Sequence, residues 1–383
     1  RKKRMIRDQQ KMNEHLDRIR TFVREVAIPN EDRVELEDRI PEEVIKKLKE
    51  LGSFGWSIPE EFGGAGMTSE ELALAFLEFT QCSVAFRVYG GQNAGIGSEC
   101  IIRDGTEDQK RTYLPQLASG DMLGCLALTE ESAGSDATAM QTRAEKVDGG
   151  YRINGTKRYI TLAPIADLFS LFARTDGERG GKGVTAFLIE RNTEGLMTSG
   201  STPKMGQEGA PIGEVYLNDV FVPDSAVLGG LEGKGFGTVM KALNKQRINL
   251  SALSTGPAIR MLDDAVAFAK SRKQFGKSIG EFQLVQAMLA ECKVEIEAAR
   301  ALILETARKR DRGEDVTMDV SLCKYFSTEM CGRVADKAVQ IFGGAGYVKG
   351  TGIERLYRDV RAFRVYEGTS QVHLLNIAKH LLN

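Results

Sequence analysis

Two glycine-rich strings, Gly233-Lys-Gly235-Phe-Gly237 and Gly343-Gly344-Ala-Gly346, are the first candidates for chemistry, because close glycines let backbone N–H groups cradle a phosphate. Neither shows the GxGxxG order behind a strand and neither is a GxxxxGK[ST] loop, so a Rossmann or P-loop reading fails and helix caps or tight connections are expected. Three histidines (His15, His373, His380) leave little material for a histidine general base or a multi-histidine metal centre. Six cysteines (Cys82, Cys100, Cys125, Cys292, Cys323, Cys331) lack CxxC spacing and sit mostly in apolar stretches, which reads as reduced core thiols in a reducing compartment, without a zinc site. His373 is expected on a helix surface. Carboxylates and guanidinium groups remain. Glu367, standing before Gly368, reads in isolation as a solvated loop residue. Arg87 interrupts the apolar, small-residue helical stretch Val84-Ala-Phe-Arg87-Val-Tyr89-Gly90-Gly91-Gln92. Burying an unpaired guanidinium is costly, so Arg87 must meet a protein carboxylate, reach solvent or await an anionic substrate tail, with Tyr89 and Gln92 as candidate helpers.

The elements that must position these groups follow from periodicity. A chain of 383 residues exceeds what one core supports, so two or three packed units are expected. Residues 1–123 read as helical: Ile19, Phe22, Val23 and Val26 have helical spacing, as do Val44, Ile45, Leu48 and Leu51, a segment opened by Pro41 and closed by Gly52. Over 124–233 the period becomes that of strands. Tyr151 to Thr161 carries Asn154-Gly155 between alternating segments, a hairpin signal, and 183–190 and 213–222 are further strands, the last stopped by Pro223. Over 234–383 the helical period returns. Val285, Leu289, Cys292, Ile296, Ala299 and Ile303 form one bundle seam, and Cys323, Phe326, Met330, Val334, Ala338 and Ile341 another.

Charge and hydropathy narrow the partners. Lys+Arg 52 against Asp+Glu 53 gives net charge -1, so no global basic field draws nucleic acid and an anionic ligand must be held locally. No apolar run approaches the roughly 18 residues of a spanning helix. The basic start Arg1-Lys2-Lys3-Arg4 is not followed by an apolar segment, so no secretory signal is expected, and it and Arg308-Lys-Arg-Asp-Arg312 read as solvated charge runs.

Two longer strings are more specific. Leu126-Ala-Leu128-Thr129-Glu130-Glu-Ser-Ala-Gly134-Ser135-Asp136 and Val365-Tyr366-Glu367-Gly368-Thr369-Ser-Gln371 resemble the two signature regions of the acyl-CoA dehydrogenase family. Pro59-Glu-Glu-Phe-Gly-Gly64, Tyr113 to Gly120, Arg272-Lys-Gln-Phe-Gly276, Phe282-Gln283 and Gln340-Ile-Phe-Gly-Gly344 fall in the matching order, and the resemblance covers residues 40 to 383. It implies an α+β fold with an N-terminal α-helical domain, a middle antiparallel β-barrel domain and a C-terminal four-helix bundle. It also implies FAD as cofactor, an acyl-CoA substrate oxidised to a trans-2-enoyl-CoA, an electron-transferring flavoprotein as acceptor, and a homotetramer built as a dimer of dimers. The location implied is the cytoplasm of a bacterium or the mitochondrial matrix of a eukaryote. An acyl-CoA oxidase, a reductase, a β-eliminating relative or a non-catalytic CoA-ester-binding member would share the pattern.

Carried over residue by residue, the resemblance makes Glu367 the catalytic base, with its own backbone N–H and a ribityl hydroxyl of the flavin binding the thioester oxygen. Some members place the base beside the Arg of Leu243-Asn-Lys-Gln-Arg247, but Gln246 stands here and an amide cannot take a proton. Thr129 and Thr161 match flavin-edge contacts, Ser135 a position near the pyrophosphate and pantetheine, and Tyr159 a flavin-face position where many relatives carry Trp. Arg272, Phe275, Gln283, Gln340, Gly344, Thr369 and Gln371 match contacts to the ADP half of FAD, shared with a neighbouring subunit. Asn244, Arg247 and Gly368 fall on the substrate side, although Asn244 replaces a frequent Asp. Arg87 falls where glutaryl-CoA-type members similarly carry an Arg that grips a distal carboxylate.

Overall fold

A computed structural model describes residues 6–175 and 180–382, and the basic run at 1–4 lies outside them. The first helical unit comprises α1 (Gln9–Phe22), α2 (Ile28–Glu37), α3 (Glu42–Leu51), α4 (Ser69–Phe79), α5 (Val84–Gly91), α6 (Glu99–Asp104) and α7 (Glu107–Ser119). Ile19, Phe22 and Val23 turn into the core, and a π-helical turn at Val23–Ala27 joins α1 to α2. Pro41 is the N-cap of α3, and Gly52, at φ 76°, ends it in the left-handed region that glycine enters without a Cβ clash. A reciprocal capping box between Thr68 and Glu71 starts α4.

Seven strands follow: β1 (Gly124–Ala127), β2 (Arg143–Val147), β3 (Gly150–Thr161), β4 (Leu168–Arg174), β5 (Val184–Glu190), β6 (Leu196–Thr198) and β7 (Ile212–Pro223). They form one sheet in the order β1-β4-β2-β3-β7-β6, with β5 added on β4. Most pairings are antiparallel, as expected. Two are parallel, β1 along the start of β4 and a single β2 contact at its end, and these two strands share one edge of β4 because β5 fills the whole opposite edge. The Asn154-Gly155 hairpin does not form. Strand β3 runs unbroken through that dipeptide, and the turn lies at Asp148-Gly149 instead. Asn154 Oδ1 accepts the Asp219 N–H at 2.7 Å, the register against β7 slips between Ile153 and Gly155, and a Cβ on Gly155 would lie 2.4 Å from Thr142 Oγ1. The dipeptide thus serves a bulge and a close approach rather than a turn.

The last unit is built on α8 (Gly235–Ser271), α9 (Gln283–Asp311) and α10 (Thr317–Phe342). Between α8 and α9 lies a small hairpin, β8 (Lys273–Gln274) with β9 (Lys277–Ser278), and after α10 come α11 (Gly344–Tyr347), α12 (Ile353–Val360) and α13 (Ser370–Leu382). The α9 seam buries Cys292, Ile296, Ala299 and Ile303, and that of α10 buries Cys323, Met330, Val334, Ala338 and Ile341, while Val285, Leu289 and Phe326 are only half-buried. Both glycine strings sit at joints, with Gly235 opening α8 and Gly343 capping α10. All six cysteines are buried and free.

The two helical units share one core that runs from α1 through α5 into α8, α9 and α10. The basic run at the end of α9 is part of this junction, which corrects its reading as a solvated end. Arg308 pairs with Glu70 at 2.8 Å, Lys309 with Asp319 at 2.7 Å, and Asp311 accepts the Ser69 and Glu70 N–H groups at 2.8 and 2.9 Å. A carboxylate on the first N–H groups of α4 is favoured by the helix dipole. Closer to the site, α4 and α8 touch at Gly256, where a Cβ would fall 2.0 Å from Thr80 Oγ1 and 3.0 Å from Leu77 O. Overpacking costs about 1–3 kcal/mol, so Gly256→Ala is expected to lower the thermal midpoint, and an unchanged midpoint would show that these helices do not approach as described.

Candidate active site

The turn between α12 and α13 carries Glu367, whose backbone is left-handed at φ 56°, followed by Gly368 at φ 93°. A left-handed glutamate is uncommon and is held by its surroundings. Three side chains from three helices do this. Arg247 Nε of α8 donates to Glu367 O at 3.3 Å, His373 Nε2 of α13 lies 3.2 Å from the same oxygen, and Lys324 Nζ of α10 donates to Gly368 O at 2.5 Å. A Cβ on Gly368 would lie 2.9 Å from His373 Nε2, so the position requires glycine for space as well as for φ.

With its carbonyl oxygens gripped from the bundle, the turn presents the Glu367 carboxylate to the interior. Its Oε2 is buried and accepts no hydrogen bond. Burial pushes the carboxyl up to about 7, against the opposing pull of Arg87, Arg247 and Lys324. Those three cations are themselves buried, and among the described residues none has a carboxylate within ion-pair distance. Arg87 is 5% exposed; its Nε and Nη2 have no partner, and its guanidinium lies over the Phe76 ring at 5.5 Å. Of the three fates open to Arg87, an ion pair with the protein and contact with solvent are therefore not what the fold provides. Tyr89 packs edge-on to Phe54 at 6.2 Å. Gln92 is buried.

Two neighbours depart from expectation. His373 is fully buried rather than on a helix surface, because the left-handed turn rolls the first turn of α13 onto α10, where Nδ1 lies 3.1 Å from Ser321 Oγ. Burial lowers the imidazole to about 4, so it is neutral near pH 7. Lys324 was not singled out in the sequence, where it is one lysine among many in a helix. Its one distinguishing signal is its place on the apolar side of α10, one residue after Cys323. Burial brings its ammonium down to about 8. Arg247 spans Asn244 Oδ1 at 2.9 Å and the turn, and burial lowers it too. Gln246 is buried and its Oε1 accepts from Asn249 at 3.2 Å, an amide in a structural bond.

A second cluster forms on the sheet. Glu130 and Lys157 make a buried ion pair at 2.7 Å, Lys157 also donates to Leu128 O at 3.1 Å, and Glu130 accepts from Gln141 N and Thr142 N. This pins the loop after β1 to β3, with Thr129 O accepting the Arg158 N–H at 2.8 Å. The β3 register slips again between Lys157 and Ile160, and Tyr159, at φ 58°, is turned out with 59% exposure. Thr129 and Thr161 are half-buried beside it and Ser135 is exposed, with open space beside Gly134. An outward aromatic flanked by hydroxyls and a free loop fits a planar ring system with polar edges and a phosphate tail.

The remaining candidates fall in two places. Arg272, Phe275, Gln283, Gln340 and Gly344 lie around one end of the bundle, where Phe268 of α8 stacks on Phe342 of α10 at 4.2 Å, and all five are exposed, Phe275 by 93% at the hairpin tip. Thr369 and Gln371 lie instead at the start of α13, where Ser370 bonds Glu329. Gln340 is eleven residues further along α10 than Glu329, about 16 Å of helix. A single chain does not bring the two groups together. At the ion pair, Lys157→Met would strand a buried Glu130 carboxylate at a cost of about 3–5 kcal/mol. The expected result is a lower thermal midpoint, partly restored in Lys157→Met/Glu130→Gln, and equal midpoints in all three proteins would contradict the pair's role.

Comparison with known proteins covers the whole length. Family models match in succession: Acyl-CoA dehydrogenase, N-terminal domain, over residues 8–121, the middle domain over 125–220, and the C-terminal domain over 233–382. A 3-(aryl)acrylate reductase of Clostridium sporogenes is 39% identical over 364 residues, 95% of this chain and 96% of the relative. A solved structure concerning the electron transferring flavoprotein of Acidaminococcus fermentans contains a chain that matches with TM-score 0.94 at 33% identity, covering 99% of both chains. The glutaryl-coenzyme A dehydrogenase glutaryl-CoA complex matches with TM-score 0.92 at 35% identity, over 98% of this chain and 96% of that one.

Proposed function

The chain belongs to the acyl-CoA dehydrogenase family and is an FAD-dependent oxidoreductase, and on that premise we propose that Glu367 removes the α-proton of an acyl-CoA thioester as the β-carbon loses hydride, leaving a trans-2-enoyl-CoA. The observation that carries this is the buried, unpartnered Oε2 of a carboxyl poised near pH 7. A thioester α-proton is weakly acidic, so an ordinary solvated carboxylate is too weak a base, and a pKa near the working pH favours proton transfer. FAD, when bound, supplies the acceptor for the hydride, and Thr129, Ser135, Tyr159 and Thr161 would hold it on the sheet. The Glu367 N–H makes no backbone hydrogen bond of its own and would donate to the thioester oxygen, where one such donor is worth about 2.7–4 kcal/mol as charge builds. Asn244, Arg247, Ser135 and Gly368 would line the CoA side.

Arg272, Phe275, Gln283, Gln340 and Gly344 would hold the ADP half of FAD together with Thr369 and Gln371 of a second copy, which makes the working unit at least a dimer, and we propose two such dimers in a homotetramer. Their separation on one chain supports this. The proposed acceptor is an electron-transferring flavoprotein, and the match to the Acidaminococcus structure supports it. Substrate range follows from Arg87. A buried guanidinium with no carboxylate of its own suits a short acyl chain ending in a carboxylate, and the likeness to the glutaryl-CoA complex agrees.

One observation favours a second reading. A carboxyl poised near 7 returns a proton to the α-carbon as readily as it takes one, and the Clostridium relative is a reductase of acrylates. The same site would then run toward the saturated thioester. Direction is decided by whether saturated or enoyl thioester is consumed with a matched acceptor or donor, and oxygen uptake during turnover would mark an oxidase.

Two substitutions test the assignment. Glu367→Gln is expected to keep FAD and the fold but lower turnover at least about 100-fold, the general-base contribution, and near-normal turnover with an artificial acceptor would sink the mechanism. For Arg87, kcat/KM is measured on glutaryl-, butyryl- and octanoyl-CoA. The parent should prefer glutaryl-CoA, and Arg87→Met should cost that substrate about 2–5 kcal/mol while sparing the uncharged chains. A parent that prefers uncharged chains, with a ranking untouched by the substitution, would make Arg87 a structural residue.

A further inference from the structure

We propose that Lys324 and His373 are positioning residues that fix the left-handed Glu367-Gly368 turn by holding its two carbonyl oxygens, so that the Glu367 carboxylate faces the substrate. The inference rests on the reading of Glu367 as the base. Neither side chain reaches the carboxylate itself by a hydrogen bond: Lys324 Nζ is on Gly368 O at 2.5 Å and His373 Nε2 is 3.2 Å from Glu367 O. Both are 0% exposed, so neither bond is shared with bulk water.

The two groups are not redundant. A carbonyl only accepts, so His373 must carry its proton on Nε2, and Nδ1 must then accept from the Ser321 hydroxyl at 3.1 Å. This fixes the tautomer through a residue one helical turn from Lys324 on α10. Neutral at working pH, His373 supplies direction without charge. Lys324 supplies both. It has no carboxylate partner among the described residues, and the negative group that favours its ammonium most is Glu367. Lys324 therefore holds the turn and also favours the ionised base. The charged and titratable groups facing Glu367 are Arg87 of α5, Arg247 of α8, Lys324 of α10, and Tyr366 and His373 from the turn and α13. Removing the Lys324 cation takes away one of three attractions for the carboxylate, so the Glu367 pKa must rise. Removing the neutral imidazole must leave it in place.

The substitutions His373→Leu, His373→Gln, Lys324→Met and Lys324→Gln separate these roles in the FAD-loaded enzyme. Glutamine keeps an N–H donor at each position without a charge. His373→Leu is expected to lower kcat about 100-fold, the penalty of a misplaced catalytic group, without moving the acid limb of kcat/KM. His373→Gln should recover most of that loss. Both Lys324 variants should move the acid limb to higher pH, and Lys324→Met should lose more kcat than Lys324→Gln. Hydrogen exchange of a peptide spanning 366–369 should quicken in the Leu and Met variants and stay near the parent in the Gln variants, and this readout holds even if turnover is lost. Parent-like kcat, acid limb and exchange in the Leu and Met variants would overturn the proposal, as would a His373→Gln enzyme as impaired as His373→Leu. Glu367→Gln, assayed alongside, distinguishes the two failures. If it stays active the base assignment is wrong, while if it is dead and the positioning variants are normal only the present inference falls.

Discussion

Glu367 is taken out of water on a turn where its Oε2 finds no donor, and it is favoured in its ionised form by three buried cations, none of which has a carboxylate within ion-pair distance among the described residues. Desolvation alone would leave the carboxyl protonated and useless as a base. Arg87, Arg247 and Lys324 favour the ionised form and so oppose that penalty, and the balance falls near 7. The cost is shared. Glu367 favours all three cations in turn, and the excess positive charge favours a negative thioester oxygen or a substrate carboxylate.

The rest of the fold maintains that balance. The four positioning elements come from distant parts of the chain: α5 from the first helical unit, and α8, α10 and α13 from the bundle. The first unit is registered on the bundle by buried acids. Asp359 Oδ2 of α12 accepts from Ser83 Oγ and Val84 N at the start of α5, which ties the helix that carries Arg87 to the helix before the base turn, while Glu31 Oε1 accepts from Ser83 N and Asp359 Oδ1 from Gln207 N at 2.5 Å. On the sheet, the Lys157–Glu130 pair pins the loop after β1 to β3, where Thr129 O accepts the Arg158 N–H.

Much of this was legible in the sequence because periodicity reports burial. The seams of α9 and α10 and the strands that became β5 and β7 followed from which residues recur at helical or alternating spacing, while long strings resembling one family pattern singled out Glu367 as the candidate base and Thr129, Ser135, Tyr159 and Thr161 as candidate flavin contacts. What failed depended on tertiary context. Asn154-Gly155 has the local chemistry of a turn, but Thr142 and Asp219 convert it to a bulge. His373 and Lys324 look like polar residues on helix surfaces, and only the packing of α10 and α13 around the left-handed Glu367-Gly368 turn reveals that both aim at carbonyl oxygens of one loop. Arg308 to Arg312 reads as a solvated end until α4 is packed beside it.

The central claim is that Glu367 moves the α-proton and is poised near neutrality. It is tested most directly by separating proton removal from hydride loss. A thioester with sulfur at the β-position cannot give up hydride, so exchange of its α-hydrogens with D2O, followed by NMR in the FAD-loaded enzyme, reports the base alone. The account predicts exchange that rises through a midpoint near 7 and levels off above it, and that vanishes in Glu367→Gln. Exchange independent of pH between 5 and 9, or equally fast in Glu367→Gln, would contradict it.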